Sequence, residues 1–210
     1  TDPERSAAEW GALPAPYGSG QALTLDGNGD YVSADTASRT LAGAEAFTME
    51  AWVRLDSNTD RPAVLAFNGA VEDNKNILFY NSGQFQYYDP DITFQPSTDT
   101  FAPDQWHHVA VVIEADDSGT LYVNGTEQAT FTTSVRPVSG GRFSIGQEWD
   151  TSTPSDFFAG QIDEVRLWDT ARSPEEIRTG MHQTIDAPAP GLASYWRFDE
   201  EAPVENALRM

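Results

Sequence analysis

The sequence predicts an all-β protein, a two-sheet antiparallel β-sandwich of the jelly-roll type with one short helix near the C-terminus. Three observations carry this. From Ala22 onward, short apolar runs are broken by Gly, Asn, Asp, Pro and Ser, the pattern of many strands joined by tight turns. Phe47, Met49, Ala51, Val53 and Leu55 alternate with Thr48, Glu50, Trp52 and Arg54, and a period of two marks a strand with one buried face. Helix signals gather convincingly at one place only. Ser173 suits an N-cap, Pro174 the first helical position, and Glu175 and Glu176 the positive end of the helix dipole. That helix should run to about Thr179 and stop at Gly180.

The elements follow in order. Strands are expected at 22–25, 31–33, 47–55, 63–67, 77–80, 84–88, 106–114, 120–123, 127–131, 142–145, 161–167 and 194–198. Asn124-Gly125 lies between two of these runs and predicts a hairpin turn. The same residues, with Thr126, spell an N-glycosylation sequon, and the turn suffices to explain them. Residues 1–20 are rich in Ala, Pro and Gly and read as a linker. One domain is expected over 21–200, with a C-terminal linker at 201–210.

Composition narrows the function classes. In 210 residues, 39% are hydrophobic and 11% aromatic, enough for a sizeable core. Against 33 acidic residues stand 12 basic ones, for a net charge of −21. Such a surface repels phosphate backbones, so nucleic acid is not an expected partner, and it attracts divalent cations. Zero cysteines exclude disulfides and thiolate metal sites. No apolar run is long enough to insert into a membrane. The chain opens on Thr1 rather than Met, which predicts a segment of a longer protein with neighbouring domains.

The chemistry-bearing residues gather in two stretches. Gly146-Gln147-Glu148-Trp149-Asp150 and Glu72-Asp73-Asn74 each place short oxygen-bearing side chains beside an expected strand. Calcium takes about six to eight oxygen ligands drawn from carboxylates, amides, carbonyls and water. Asp73, Asn74, Glu148 and Asp150 offer side chains for this, and Trp149 a backbone carbonyl. Asp26-Gly27-Asn28-Gly29-Asp30 resembles the start of an EF-hand loop, but lacks its Glu and its glycine position. A turn is expected there, with Asp26 and Asp30 a minor candidate for a second, structural cation. His107 and His108 are adjacent and face opposite ways on a strand, which excludes a joint zinc site. His182 stands alone in the sequence. Asp163 and Glu164 also face opposite ways, as an acid at the core edge and a surface charge, not as an acid/base pair.

Taken together, these runs resemble a known family. Ala22 to Val32, Phe47 to Val53, Trp106 to Val112, Leu121 to Gly125, Gly160 to Trp168 and Arg172 to Ile177 follow the order of laminin-G-like, concanavalin-A-like jelly rolls. Asp73-Asn74 and Gln147-Glu148-Trp149-Asp150 look like the calcium loops of pentraxins. That resemblance implies calcium bridging to carboxylate, phosphate or sugar-hydroxyl ligands. The pentraxin disulfide is absent, and Asp156 is the one carboxylate between Thr151 and Phe158, so one calcium is expected rather than two. Trp149, Asp156 and Tyr88 are the expected ligand contacts. The resemblance thus implies a lectin-like, adhesive module that binds glycan outside the cell or at its surface. Two alternatives stand beside it. One is a structural or protein-interaction module in which calcium only stiffens loops. The more distant one is a glycoside hydrolase, for which two carboxyls about 5–5.5 Å apart are required, and the Glu-x-Asp run lacks the third acid of the related glucanases.

Overall fold

The structure is a computed structural model, and it describes residues 21–57, 61–69 and 74–199. The expected linkers at 1–20 and 201–210 lie outside the described residues. In chain order the elements are β1 (Leu23–Asp26), β2 (Val32–Ser33), α1 (Asp35–Leu41), β3 (Phe47–Leu55), β4 (Ala63–Asn68), β5 (Asn74–Asn81), β6 (Gln84–Tyr88), β7 (Gln95–Pro96) and β8 (His107–Ile113). There follow β9 (Ser118–Val123), β10 (Thr126–Thr132), β11 (Arg142–Ile145), β12 (Glu148–Asp150), β13 (Thr153–Ser155), β14 (Ala159–Trp168), α2 (Pro174–Gly180) and β15 (Leu192–Trp196).

Two antiparallel sheets form the sandwich. One runs β1-β14-β3-β8-β9-β10, with β15 also on β14, and the other runs β2-β11-β4-β5-β6-β7. Between them lies a core that includes Phe47, Met49, Phe67, Tyr80, Phe85 and Tyr87. Its size explains why the fold holds without a disulfide: each such side chain contributes about 1.5–3 kcal/mol on burial. Asn124 and Gly125 have φ of 51° and 72° and turn the chain from β9 to β10, as a primed hairpin turn requires. The Asn124 amide is engaged there, with Oδ1 accepting from His108 N at 2.9 Å and Nδ2 3.3 Å from His107 Nδ1.

Two expectations are corrected. Among the described residues there are two helices, not one. α1 has no side-chain cap, and its N-cap is Ala34, so it carries none of the boundary chemistry that makes α2 legible. It is held by buried Ala37, Ser38 and Leu41 instead. β3 is also buried on both faces, not one. Its outer face is roofed by the chain around α2: Thr48 Oγ1 donates to Thr170 O at 2.9 Å and Trp52 Nε1 to Met181 O at 2.7 Å. α2 follows the expected grammar, with Ser173 and Glu176 forming a reciprocal capping box.

Glu164 is not a surface charge. A bulge in β14 between Asp163 and Arg166 interrupts pairing with β3, Glu164 takes φ +52°, and both acids are 4% exposed. Glu164 accepts from Arg166 and from the Tyr195 hydroxyl. Burial is the main force that raises Asp163 to a pKa of about 7, and the charges of Glu164 and Asp199 add to it. Its folded pKa therefore lies above its unfolded value. Stability is full below about pH 4 for this group and falls as pH rises towards 7, where the unfolded chain releases the proton and the folded one retains it. Asp163→Asn keeps an oxygen to accept from Glu164 N. It is expected to flatten that slope and to raise stability at pH 8 by about 1–3 kcal/mol, measured by urea unfolding across pH.

Candidate metal and ligand site

The site grows from a kink after β11. Gly146 has φ +85°, and a Cβ there would lie 2.2 Å from Leu25 Cδ1. Its N–H donates to Val64 O, and its carbonyl accepts from Phe158 N, both at 2.9 Å. Only glycine meets both demands. The kink sends the chain out of the six-stranded sheet into a small hairpin, β12–β13, that packs against β4 and β5. Gly146→Ala is expected to destabilise the domain by about 2 kcal/mol or more, read from its denaturation midpoint.

The stretch expected as a loop is therefore a short strand, and its alternation sorts the side chains. Glu148 is 2% exposed. Its Oε1 accepts from Ser155 Oγ at 2.8 Å and its Oε2 from Asn68 Nδ2 at 3.3 Å. Trp149 packs edge-on against Tyr31, ring centroids 5.9 Å apart, and under the Arg142 guanidinium at 4.1 Å. Its carbonyl accepts from Asn68 Nδ2 at 3.4 Å. Gln147 is fully buried, and neither atom of its amide finds a hydrogen-bond partner among the described residues.

Glu148, Asp150 and Asp156 open on a cleft of about 250 Å3. Across it stand Phe79, Tyr88 and Phe94, with Arg61 at the side. The opposite wall comes from the outer face of β5 and β6. Ile77 pairs with Tyr88 and Phe79 with Gln86, so these residues face outward while Leu78, Tyr80, Phe85 and Tyr87 enter the core. Burial raises the Glu148 and Asp156 carboxyls above their ordinary values. The neighbouring acids add to both rises, Asp150 and Asp156 on Glu148 and Asp150 on Asp156, whereas Arg61 pulls Asp156 down. A cation relieves such crowding.

The structure gathers Glu148, Asp150, Asp156 and Tyr88 in this cleft. The Trp149 ring is turned toward Tyr31 and Arg142. Asp73 lies outside the described residues, and so does the side chain of Asn74. The ladder sets Asn74 opposite Asn68, whose amide reaches Glu148. Among the described residues, no three or more of His, Asp and Glu are grouped closely enough to hold a metal by themselves. A complete calcium shell thus needs oxygens from the Asp73-Asn74 side, backbone carbonyls or water. Asp26 forms a turn, with Oδ1 accepting from Asn28 N at 2.7 Å, and among the described residues no group of metal-ligating side chains assembles around it or Asp30. His107 Nε2 donates to Ala102 O at 2.9 Å. His108 and His182 lie on the far side, against Trp52.

Sequence reasoning missed Arg61, Phe79 and Phe94 as cleft residues, and Asn68 and Ser155 as partners of Glu148. Phe79 and Tyr88 could have been separated from the core residues by period two in their strands. Arg61 and Phe94 carry no such signal, because they sit outside regular strands.

A family model described as the concanavalin A-like lectin/glucanases superfamily matches residues 26–178. The chain belongs to this superfamily. Comparison with curated proteins finds no match. Among solved structures, the superfamily domain described above is similar to a candidate carbohydrate-binding protein of Bacteroides ovatus, with TM-score 0.69, 21% identity, and 86% of this chain and 52% of that one covered. This chain therefore spans about half of that protein. It is similar to the heptameric SAP-like pentraxin of Limulus polyphemus, with TM-score 0.66, 16% identity, and 86% and 91% covered. A third likeness is to the CBM40 of the Ruminococcus gnavus IT-sialidase bound to alpha2,3 sialyllactose, with TM-score 0.63, 14% identity, and 77% and 96% covered. At these identities the likeness is one of fold. Among the described residues no helix is long and apolar enough to cross a membrane.

Proposed function

We propose that this domain is a calcium-dependent, non-catalytic glycan-binding module that works outside the cell or at its surface. One observation carries the reading: a buried, a half-buried and an exposed carboxylate meet an aromatic wall in a single cleft. Carboxylates supply the hard oxygens calcium prefers, and aromatic faces suit the apolar face of a sugar ring. Glu148 and Asp150, with Asp73, Asn74 and the Trp149 carbonyl, are the oxygen donors in this reading. Calcium supplies open coordination positions for ligand oxygens. Tyr88 and Phe79 pack against the ligand, and Asp156 accepts from its hydroxyls. The ion's charge offsets a local field that otherwise repels anionic ligands. The carbohydrate-binding neighbours in fold space agree with this choice of ligand. Single sites of this kind bind weakly, so adhesion rests on many copies.

Calorimetric titration with calcium, followed by a glycan array with and without chelator, tests the reading. Glycan binding that disappears with chelator is the expected result. Calcium binding with no glycan points instead to a structural or protein-interaction module. Release of sugar that Glu148→Gln abolishes points to a hydrolase.

A further inference from the structure

One side chain in the cleft has the wrong sign for a site that only holds a cation. Arg61 shares the lining with Glu148, Asp150 and Asp156, and a fixed guanidinium weakens calcium binding by repulsion.

The Arg61 side chain is exposed, and the backbone beside it is held in place. The backbone of Arg61 sits at φ +47°, a left-handed conformation unfavourable for a residue with a side chain, and strain of this kind collects at functional sites. The chain just after it is pinned on two sides: Tyr80 N donates to Pro62 O at 3.1 Å, and Ala63 N donates to Asp156 O at 2.8 Å. The guanidinium lies over the Phe94 ring, 5.2 Å from its centroid. A cation–π contact makes no use of the N–H donors, which leaves their fork for a planar oxyanion.

A neutral sugar offers that fork only uncharged hydroxyl oxygens, whereas a sugar bearing a carboxylate offers a charged, planar pair. Its two oxygens match the paired N–H groups, and the same ligand keeps hydroxyls for the ion and a ring face for the aromatic wall. The protein's net charge of −21 repels acidic ligands at long range. Any preference for an acidic sugar must therefore come from a local cation.

We propose that Arg61 makes the cleft selective for carboxylate-bearing sugars of the uronic or sialic kind, pairing its guanidinium edge with the ligand's carboxylate. The inference rests on the calcium-dependent glycan reading above and adds the class of glycan.

The test compares two matched pairs in saturating calcium by NMR titration: methyl galacturonoside against methyl galactoside, and sialyllactose against lactose. The pair that responds tells uronic from sialic recognition. In the wild type at least one acid is expected to bind about tenfold more tightly than its neutral partner, the gain of a charge-assisted bidentate contact. Arg61→Gln is expected to bring that ratio close to one while calcium, followed by calorimetry, binds at least as tightly. An unchanged ratio in Arg61→Gln, or no acid preference in either wild-type pair, overturns the proposal and leaves calcium-dependent sugar binding standing. Absence of binding to all four sugars overturns the proposal, and the glycan array then decides the calcium-dependent reading on its own.

Discussion

Glu148→Gln is expected to weaken calcium binding by about a hundredfold or more while leaving the metal-free domain at least as stable as the wild type. The first half follows from charge. At an effective dielectric of about 20, losing one close carboxylate removes roughly 4 kcal/mol or more of attraction to a cation. The second half follows from burial. Glu148 is 2% exposed, and its carboxyl is raised by desolvation first and then by Asp150 and Asp156. Its charge is thus disfavoured in the fold, and a neutral amide relieves that penalty. The amide still accepts from Ser155 or Asn68. Wild-type protein at a calcium concentration about 100 times Kd should gain about 2.7 kcal/mol, a rise in Tm of roughly 5–10 °C for a domain of this size. The variant should show no such rise. Thermal unfolding with calcium and with chelator reads both halves. A variant that still shifts with calcium would remove Glu148 from the donor set, and one that is already unfolded without calcium would assign it a purely structural role.

The largest stability loss is expected at the far face. Arg166→Ala should cost about 3–5 kcal/mol, the usual result of leaving a buried charge uncompensated. Arg166 is 2% exposed and ties three elements together. It donates to Glu164 on its own strand, to Gly180 O at 2.9 Å at the end of α2, and to Gln183 O beyond it. Glu50 on β3 lies 3.7 Å away and also accepts from Trp168 Nε1 at 2.9 Å. Burial alone would raise the Glu50 carboxyl, but His108, Arg166 and Trp168 outweigh it and hold the pKa below its ordinary value. Glu50 therefore stays charged, and its contribution is present at neutral pH and lost as pH falls through that depressed pKa. Removing the arginine strands Glu50 and Glu164 together. Arg166→Met combined with Glu50→Gln and Glu164→Gln should recover most of the loss, because the penalty belongs to unpaired charge rather than to lost volume. Urea unfolding of the single and triple variants decides the matter. Equal losses in both would show that Arg166 acts through packing.

The strand pattern was legible in detail where local rules act alone. β3, β6 and β11 match the expected bounds, and the Asn124-Gly125 turn and the Ser173 cap stand where turn and capping chemistry put them. What escaped was decided by distant contacts. α1 lacks caps and is held by packing against the sandwich. β12 and β13 read as a loop because three-residue strands are too short to show a period. Glu164 looked like a surface residue because alternation assumes an unbroken strand, and the bulge in β14 shifts the register by which faces are assigned.

The candidate site divides along the same line. Glu148 and Asp150 could be nominated from residue type and spacing, since oxygen donors beside strands are a chemical signal carried within a few residues, and Asp156 and Tyr88 followed from the family resemblance. Their gathering into one cleft, the aromatic wall facing them and the presence of Arg61 depend on a glycine kink that lays one hairpin across the outer face of a sheet. Composition and periodicity were enough for an acidic all-β sandwich with oxygen-rich stretches, because backbone sterics and burial act along the chain. Which side chains face one another was settled only in three dimensions, where residues 95 positions apart, Arg61 and Asp156, meet through contacts no local pattern encodes.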